Sequence, residues 1–353
     1  MELVATVINR LGAELLTVIV GAGGSHDCAP KWVNPTNPGL QPPLASDIFA
    51  VRFQNILEHY PRVEAHSDEI RSQLDRGRNL ESLLRDLLDS AARNGNNWCL
   101  DIPRYVRELF WTISEDFLRG SSKFDGLVRR TVEAGFESVL FVSLNYDLLL
   151  DSALERYDGE EFADIDSYIS PGRKWSFVKP HGSVNWARIL ENCPKYGNGS
   201  FRAPSDLKEA PVFGSGIKVI RWNRHSHDFY VPRKSEDGYL YPEVVVPVER
   251  EKEFVCPPSH TALADAFVRQ CGNFLLVGFS ARDEDLLRLL NGMPARSRLT
   301  IVGRDDSHEI FRRICSFDRG FETKELSTLF WDEGFSAYVD SPELDRLGAC
   351  GQG

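Results

Sequence analysis

The sequence predicts an α/β fold: a doubly wound parallel sheet carrying a helical insertion and a second insertion of loops and short strands. Three observations support this. Short apolar runs of β-branched, aromatic and leucine residues recur at 15–20, 139–142, 177–178, 274–277 and 300–302. Runs of this kind mark strands buried on both faces, as parallel strands are. Each run ends abruptly in Gly, Asn, Asp, His or Ser, and most are followed by a helical pattern, the strand–turn–helix alternation of a parallel sheet.

Composition narrows the function classes. At 353 residues, 42% hydrophobic and 26% charged, the chain has ample material for a core. A net charge of -11 argues against broad contact with nucleic acid, which needs clustered positive charge to neutralise phosphates. The seven cysteines are scattered, and none forms a C-x-x-C pair. Neither a disulfide framework nor a zinc ribbon is therefore expected, and no metal site is assigned. No apolar stretch reaches the length of a membrane span, and the N-terminus shows no charged n-region with a cleavage site. A cytoplasmic protein without membrane contact is expected.

Taken in order, residues 2–12 suggest a short helix with Leu3, Val7, Ile8 and Leu11 on one side. The first strand, 15–20, runs into Gly21-Ala22-Gly23-Gly24-Ser25. Glycines there let backbone N–H groups approach a phosphate with no side chain between. His26 stands where a G-x-G-x-x-G fingerprint needs its third glycine, and no acidic residue ends a second strand about 20 residues on. The ordinary dehydrogenase fingerprint is not met, so this loop alone fits a nucleotide site and a plain strand-to-loop turn equally. Residues 28–47 carry Pro30, Pro35, Pro38, Pro42 and Pro43, a long loop.

Residues 47–130 read as helical. Phe49, Phe53, Ile56 and Leu57 form one stripe, Leu80, Leu83, Leu84, Leu87 and Leu88 a second, and Tyr105, Leu109, Ile113, Phe117 and Leu118 a third. Such stripes are core-facing, and together they describe a helical module inserted after the first strand, placed to cap a pocket. The strand at 139–142 ends at Asn145-Tyr146-Asp147, with Leu148, Leu149, Leu150, Ala153 and Leu154 following at helical spacing. Phe177-Val178 ends at His181-Gly182-Ser183. Residues 187–250 are rich in Pro, Gly, Arg and aromatics without a helical period, which gives the loop and short-strand insertion, with 244–246 a candidate strand. Arg221, Arg224, His225 and His227 make a small basic patch there, most simply a solvated loop.

Beyond it, a helix is expected over 262–270. The strand at 274–277 stops at Gly278-Phe279-Ser280, and a helix follows with Asp283, Asp285, Leu286, Leu287, Leu289 and Leu290. The strand at 300–302 ends at Gly303-Arg304-Asp305 before a helix over 307–314. The last twenty residues are weakly patterned, and residues 1–350 are read as a single domain.

Open parallel sheets bind ligands outside the carboxyl ends of their strands. Asn145, Asp147 and His181 are thus candidates for one pocket. An asparagine donates and accepts at once, which suits holding a water and a hydroxyl. A histidine titrates near working pH, which suits accepting a proton. Asn145 and Asp147 also suit capping the helix that follows them.

In this order the five strand-end segments (Gly21–Ser25, Asn145–Asp147, His181–Ser183, Gly278–Ser280 and Gly303-Arg304) resemble the sirtuin family, and more closely its bacterial sirtuin-like branch. The resemblance covers 15–30, 137–186 and 254–305. It implies a Rossmann-like sheet and NAD as substrate. Gly21, Ala22, Gly23 and Ser25 would line the NAD phosphates. Asn145 would hold the nicotinamide ribose and a nucleophilic water. Asp147 would hold the carboxamide or order its loop. His181 would act as general base, and Gly278, Ser280 and Gly303 would hold the adenosine half.

Two departures from the family matter. Deacylase sirtuins usually carry a four-cysteine zinc ribbon and a G-I-P-x-F-R-type segment. Here there is no such quartet, and the matching place reads Cys28-Ala29-Pro30-Lys31-Trp32 without the arginine. The resemblance therefore points to an NAD glycohydrolase, the effector activity of bacterial antiphage systems. The alternatives are an NAD-dependent deacylase and a non-catalytic module that binds NAD or ADP-ribose. It further implies a homo-oligomer, or regulation by a partner such as an ATPase of the HerA type.

Overall fold

Five of the six strands of the main sheet grow from the apolar runs. The computed structural model describes residues 14–28, 41–78, 80–94, 97–117, 120–193, 203–209, 211–220, 239–244, 254–322 and 324–349. The first strand and its turn are β1 (Leu15–Val20) and α1 (Ala22–Asp27). The helical insertion supplies α2 (Gln54–Leu57), α3 (Pro61–Glu64), α4 (Ser67–Asp75), α5 (Leu80–Asn94) and α6 (Ile102–Phe117). Then come α7 (Lys123–Glu133), β2 (Ser138–Ser143), α8 (Leu149–Asp158), β3 (Trp175–Val178), β4 (Gly182–Leu190), β5 (Lys218–Val219) and β6 (Tyr239–Val244). The last third is α9 (Pro258–Val268), β7 (Asn273–Val277), α10 (Glu284–Asn291), β8 (Arg296–Val302), α11 (Ser307–Phe317), α12 (Arg319–Glu322), β9 (Glu325–Trp331), α13 (Phe335–Asp340) and α14 (Glu343–Ala349). The helix expected at 2–12, the basic patch at Arg221, Arg224, His225 and His227, and residues 245–246 of the candidate strand lie outside the described residues.

Strand order in the main sheet is β3-β2-β1-β7-β8-β9, all parallel. The chain builds outward from β1 through β2 to β3. It then crosses back to β7 on the other side of β1 and builds outward again. This is a Rossmann-like doubly wound sheet, and the reversal between β1 and β7 is its topological switch point. β2 is buried along its whole length and β1 along all but its first residue, because both have strand neighbours and covered faces. Helices α7 and α8 pack on each other, with α13 and α14 against α7, while α9, α10 and α11 form a second contiguous group. A capping box starts α7: the Ser122 hydroxyl accepts from Phe124 N–H at 3.2 Å, and the Asp125 carboxylate accepts from Ser122 N–H at 2.6 Å.

The structure differs from the sequence reading in four places. β9 was not anticipated, and it pairs in parallel with β8 at the sheet edge. The weakly patterned end forms α13 and α14, whose Tyr338 and Leu344 are fully buried. The helix expected from 262 begins at Pro258, since proline at a first helical turn gives up no hydrogen bond. The loop and short-strand insertion expected from 187 begins earlier, at Gly182 in β4, the centre of a small antiparallel sheet of order β5-β4-β6. That sheet packs on α6, and the Tyr241 hydroxyl donates to the Leu100 carbonyl at 2.9 Å. The two insertions therefore support one another.

One buried histidine makes stability pH-dependent. His260, on α9, has no exposed surface, and its Nε2 meets the Ile165 carbonyl at 3.1 Å. Burial disfavours the imidazolium and pushes its pKa down to about 4, a fall the Ile165 carbonyl only partly offsets. The folded state therefore holds His260 neutral while the unfolded chain protonates it. Its contribution is intact above pH 6.5 and is lost as pH falls toward 4, at a cost of about 3 kcal/mol. His260→Phe should show a smaller loss of urea midpoint than wild type between pH 7 and pH 4.5. Equal losses would remove His260 as the cause.

Candidate active site

The glycines of the first turn meet another backbone before they meet any ligand. Gly278 sits at φ +56, and a Cβ on it would lie 2.0 Å from Gly24 N. A Cβ on Gly21 would lie 2.6 Å from the Gly278 carbonyl oxygen. The β1 and β7 turns close against each other through Gly21 N–H to the Val277 carbonyl at 2.9 Å and Gly23 N–H to the Gly278 carbonyl at 3.1 Å. Gly24 N–H is also used, donating to the Gly21 carbonyl at 2.9 Å. Three N–H groups that the sequence offers to a phosphate thus build the floor of the switch point instead. His26, standing where the fingerprint glycine is missing, ties down the neighbouring loop: its Nδ1 meets the Pro42 carbonyl at 2.8 Å.

Asn145 joins the β2 turn to this floor. Its Nδ2 donates to the Gly21 carbonyl at 3.0 Å and to Ser25 Oγ at 2.8 Å. A carbonyl can only accept, so the amide orientation is fixed, and the Asn145 carbonyl oxygen is what it can offer a ligand. Asn145 and Ser25 are both buried, and Asn145 does not cap α8. That task falls to Asp147, whose Oδ1 accepts from Leu149 N–H at 3.0 Å. Burial pushes the Asp147 carboxyl above its usual range, with the charge of Lys179 and a bond from Ser25 pulling the other way. Asp147 thus bonds the turn it sits in, and Asn145 reaches across to the β1 turn.

His181 closes the group at the β3 end. Its Nε2 lies 2.6 Å from Asp283 Oδ2. Asp283 is also the N-cap of α10, accepting from Leu286 N–H at 2.9 Å. Burial alone would raise the Asp283 carboxyl, but the His181 charge and its hydrogen bond hold it below the usual range. The Tyr146 ring lies 6.3 Å from the His181 ring, and Phe110 of α6 packs edge-on against Tyr146 at 5.5 Å. Ser114 Oγ of α6 accepts from Leu148 N–H at 3.2 Å. The helical insertion thus covers the turn that carries Asn145 and Asp147.

Sequence reasoning placed Asp283 in the helix and assigned it no role, and it passed over Lys179. Lys179 is fully buried, and its Nζ donates to Asp147 O at 2.7 Å, to Asp151 Oδ2 at 2.8 Å and to Ser183 Oγ at 2.8 Å. Tyr168 donates to Asp151 Oδ1 at 3.2 Å and accepts from Asn185 at 3.1 Å. This network fastens the β2 turn to the β3–β4 connection. A lysine directly after the buried run Phe177-Val178 was the available signal, since a buried ammonium must be paired.

The adenosine-side candidates lie farther along the same sheet edge. Ser280 is exposed, and its carbonyl accepts from Arg313 Nη1 at 3.0 Å. Gly303 is buried, and a Cβ there would lie 2.3 Å from Asp306 Oδ1. Arg304 Nη2 pairs with Asp27 Oδ1 at 2.6 Å, linking the β8 turn to α1. Among the described residues no group of His, Cys, Asp or Glu could hold a metal ion, and no helix is long and apolar enough to cross a membrane.

No family model and no curated protein matches this chain. Several solved structures are similar over nearly its whole length at low identity. One, described as bearing on the mechanism and regulation of Sir2 enzymes, is 13% identical at a TM-score of 0.43, covering 99% of this chain and 98% of that one. A Sir2 homologue–NAD complex is 13% identical at a TM-score of 0.41, covering 99% and 92%. A Sir2 homologue complexed with 2'-O-acetyl ADP-ribose is 14% identical at 0.47, covering 99% and 95%. At these identities and scores the likeness bears on neither substrate nor activity.

Proposed function

We propose that this protein is an NAD glycohydrolase, cleaving NAD to nicotinamide and ADP-ribose. What supports the reading above all is the pairing of an imidazole and a carboxamide at neighbouring strand ends beside the switch point: His181 held by Asp283, Asn145 held by Gly21 and Ser25. NAD would lie across the reversal between β1 and β7. Its phosphates would rest near Ala22 and Ser25, its adenosine half toward Gly278, Ser280 and Gly303, and its nicotinamide ribose toward Asn145, Asp147 and His181.

The reaction asks little of the protein beyond placement. As the bond from C1' to the nicotinamide nitrogen breaks, the ribose gains oxocarbenium character, as in glycoside cleavage. The electron pair leaves on the nicotinamide nitrogen and cancels its positive charge. Water then bonds to C1', and its proton passes to His181. The Asn145 carbonyl oxygen is suited to hold that water or a ribose hydroxyl, and the cover of α6 limits solvent.

In the cell we place this activity as the effector of a bacterial antiphage system, working as a homo-oligomer or under a HerA-type ATPase or other regulatory partner. The test is incubation with NAD, alone and with such a partner, followed by chromatography for nicotinamide and ADP-ribose. Release of both in equal amounts is expected. NAD-dependent loss of acyl groups from a peptide panel would replace this reading with deacylation. NAD binding without any product would replace it with a binding module.

A further inference from the structure

The turn that leads from β7 into α10 is unusual in backbone as well as contact. Gly278 and Ala281 both adopt left-handed φ, +56 and +52, and Ala281 is buried. A left-handed alanine is costly and persists where its surroundings impose it. What this turn delivers is Asp283, with one carboxylate oxygen accepting from the Leu286 N–H and the other 2.6 Å from His181 Nε2. The arrangement is a base with its orienting carboxylate.

We propose that Asp283 is a positioning residue for His181. Its carboxylate accepts the Nε2 proton and fixes the ring's orientation. It also stabilises the imidazolium formed when the attacking water gives up its proton. The proposal deepens the glycohydrolase reading and rests on it for the chemical step. The pairing itself does not depend on NAD. Among the described residues Asp283 contacts the His181 ring, and Lys179 stands two residues earlier in the chain. Lys179 is committed to Asp151, Ser183 and the Asp147 carbonyl, while Asp283 Oδ2 is in direct contact with the ring at 2.6 Å.

Asp283→Asn separates the roles, because asparagine still caps a helix while losing the charge. In the full chain, the His181 ring followed by NMR should become about one pKa unit or more less basic in Asp283→Asn. Its tautomer preference should weaken. With NAD, kcat for nicotinamide release should fall about 100-fold, with KM nearly unchanged, and the acid limb of the pH–rate profile should shift to lower pH. Asp283→Ser, which keeps a cap but cannot reach the ring, should behave alike. Unchanged His181 titration in both variants would overturn the proposal whatever the activity. Altered titration in a protein that never cleaves NAD would instead uphold the pairing and sink the glycohydrolase reading.

Discussion

His181→Ala is expected to cut nicotinamide release from NAD by about 100- to 10,000-fold, the range that a positioned general base contributes. KM should change less than kcat, since the ring acts on the water and not on the bulk of the nucleotide. Asn145→Ala should be comparably damaging for a different reason. It removes the bonds to the Gly21 carbonyl and Ser25 Oγ that lock the β2 turn to the β1 turn, together with the carbonyl oxygen offered to the ligand. Each variant needs a far-UV circular dichroism spectrum and a urea midpoint beside its kinetics. Folded protein with wild-type turnover in either case would remove that residue from the chemistry.

Lys179→Met should destabilise the fold by about 3–5 kcal/mol, because it strands a buried carboxylate. Lys179 has no exposed surface, and Asp151 is 3% exposed. The ammonium also serves the Asp147 carbonyl and Ser183 Oγ, so three polar partners lose their donor together. Adding Asp151→Leu to Lys179→Met should recover part of the loss, as removal of both charges abolishes the stranded one. Urea unfolding of the single and double variants measures both effects. A single variant within about 1 kcal/mol of wild type would mean that water reaches Asp151. The same lysine donates to the Asp147 carbonyl, so its loss should also loosen the turn that carries Asn145.

Much of the sheet was legible because parallel strands covered on both faces are largely apolar along their length, as 15–20, 139–142 and 274–277 are. β9 was not legible for the converse reason. At the sheet edge its residues alternate between exposed and half-buried, so Glu325–Trp331 lacks the continuous apolar run. β4 was hidden by its own chemistry. Ser183, Asn185 and Arg188 read as surface residues but are buried, Ser183 accepting from Lys179, Asn185 donating to Tyr168, and Arg188 paired with Glu243.

For the candidate site, the sequence alone determined which turns hold its polar residues. A strand ending in Asn-x-Asp or His-Gly declares a polar group at a strand end, and the strand–helix alternation puts those ends on one edge. Only the tertiary structure decided what each group does there. Asn145 reaches the β1 turn while Asp147 caps α8, though both are residues suited to either task. Gly21 and Gly278 serve contact between two turns, which no local pattern distinguishes from room for a phosphate. Asp283 and His181 meet because β3 and β7 run parallel in the same sheet and end on the same edge. The carboxylate that meets the imidazole comes from a turn three strands away across the six-stranded sheet, and local sequence carries no record of such a meeting.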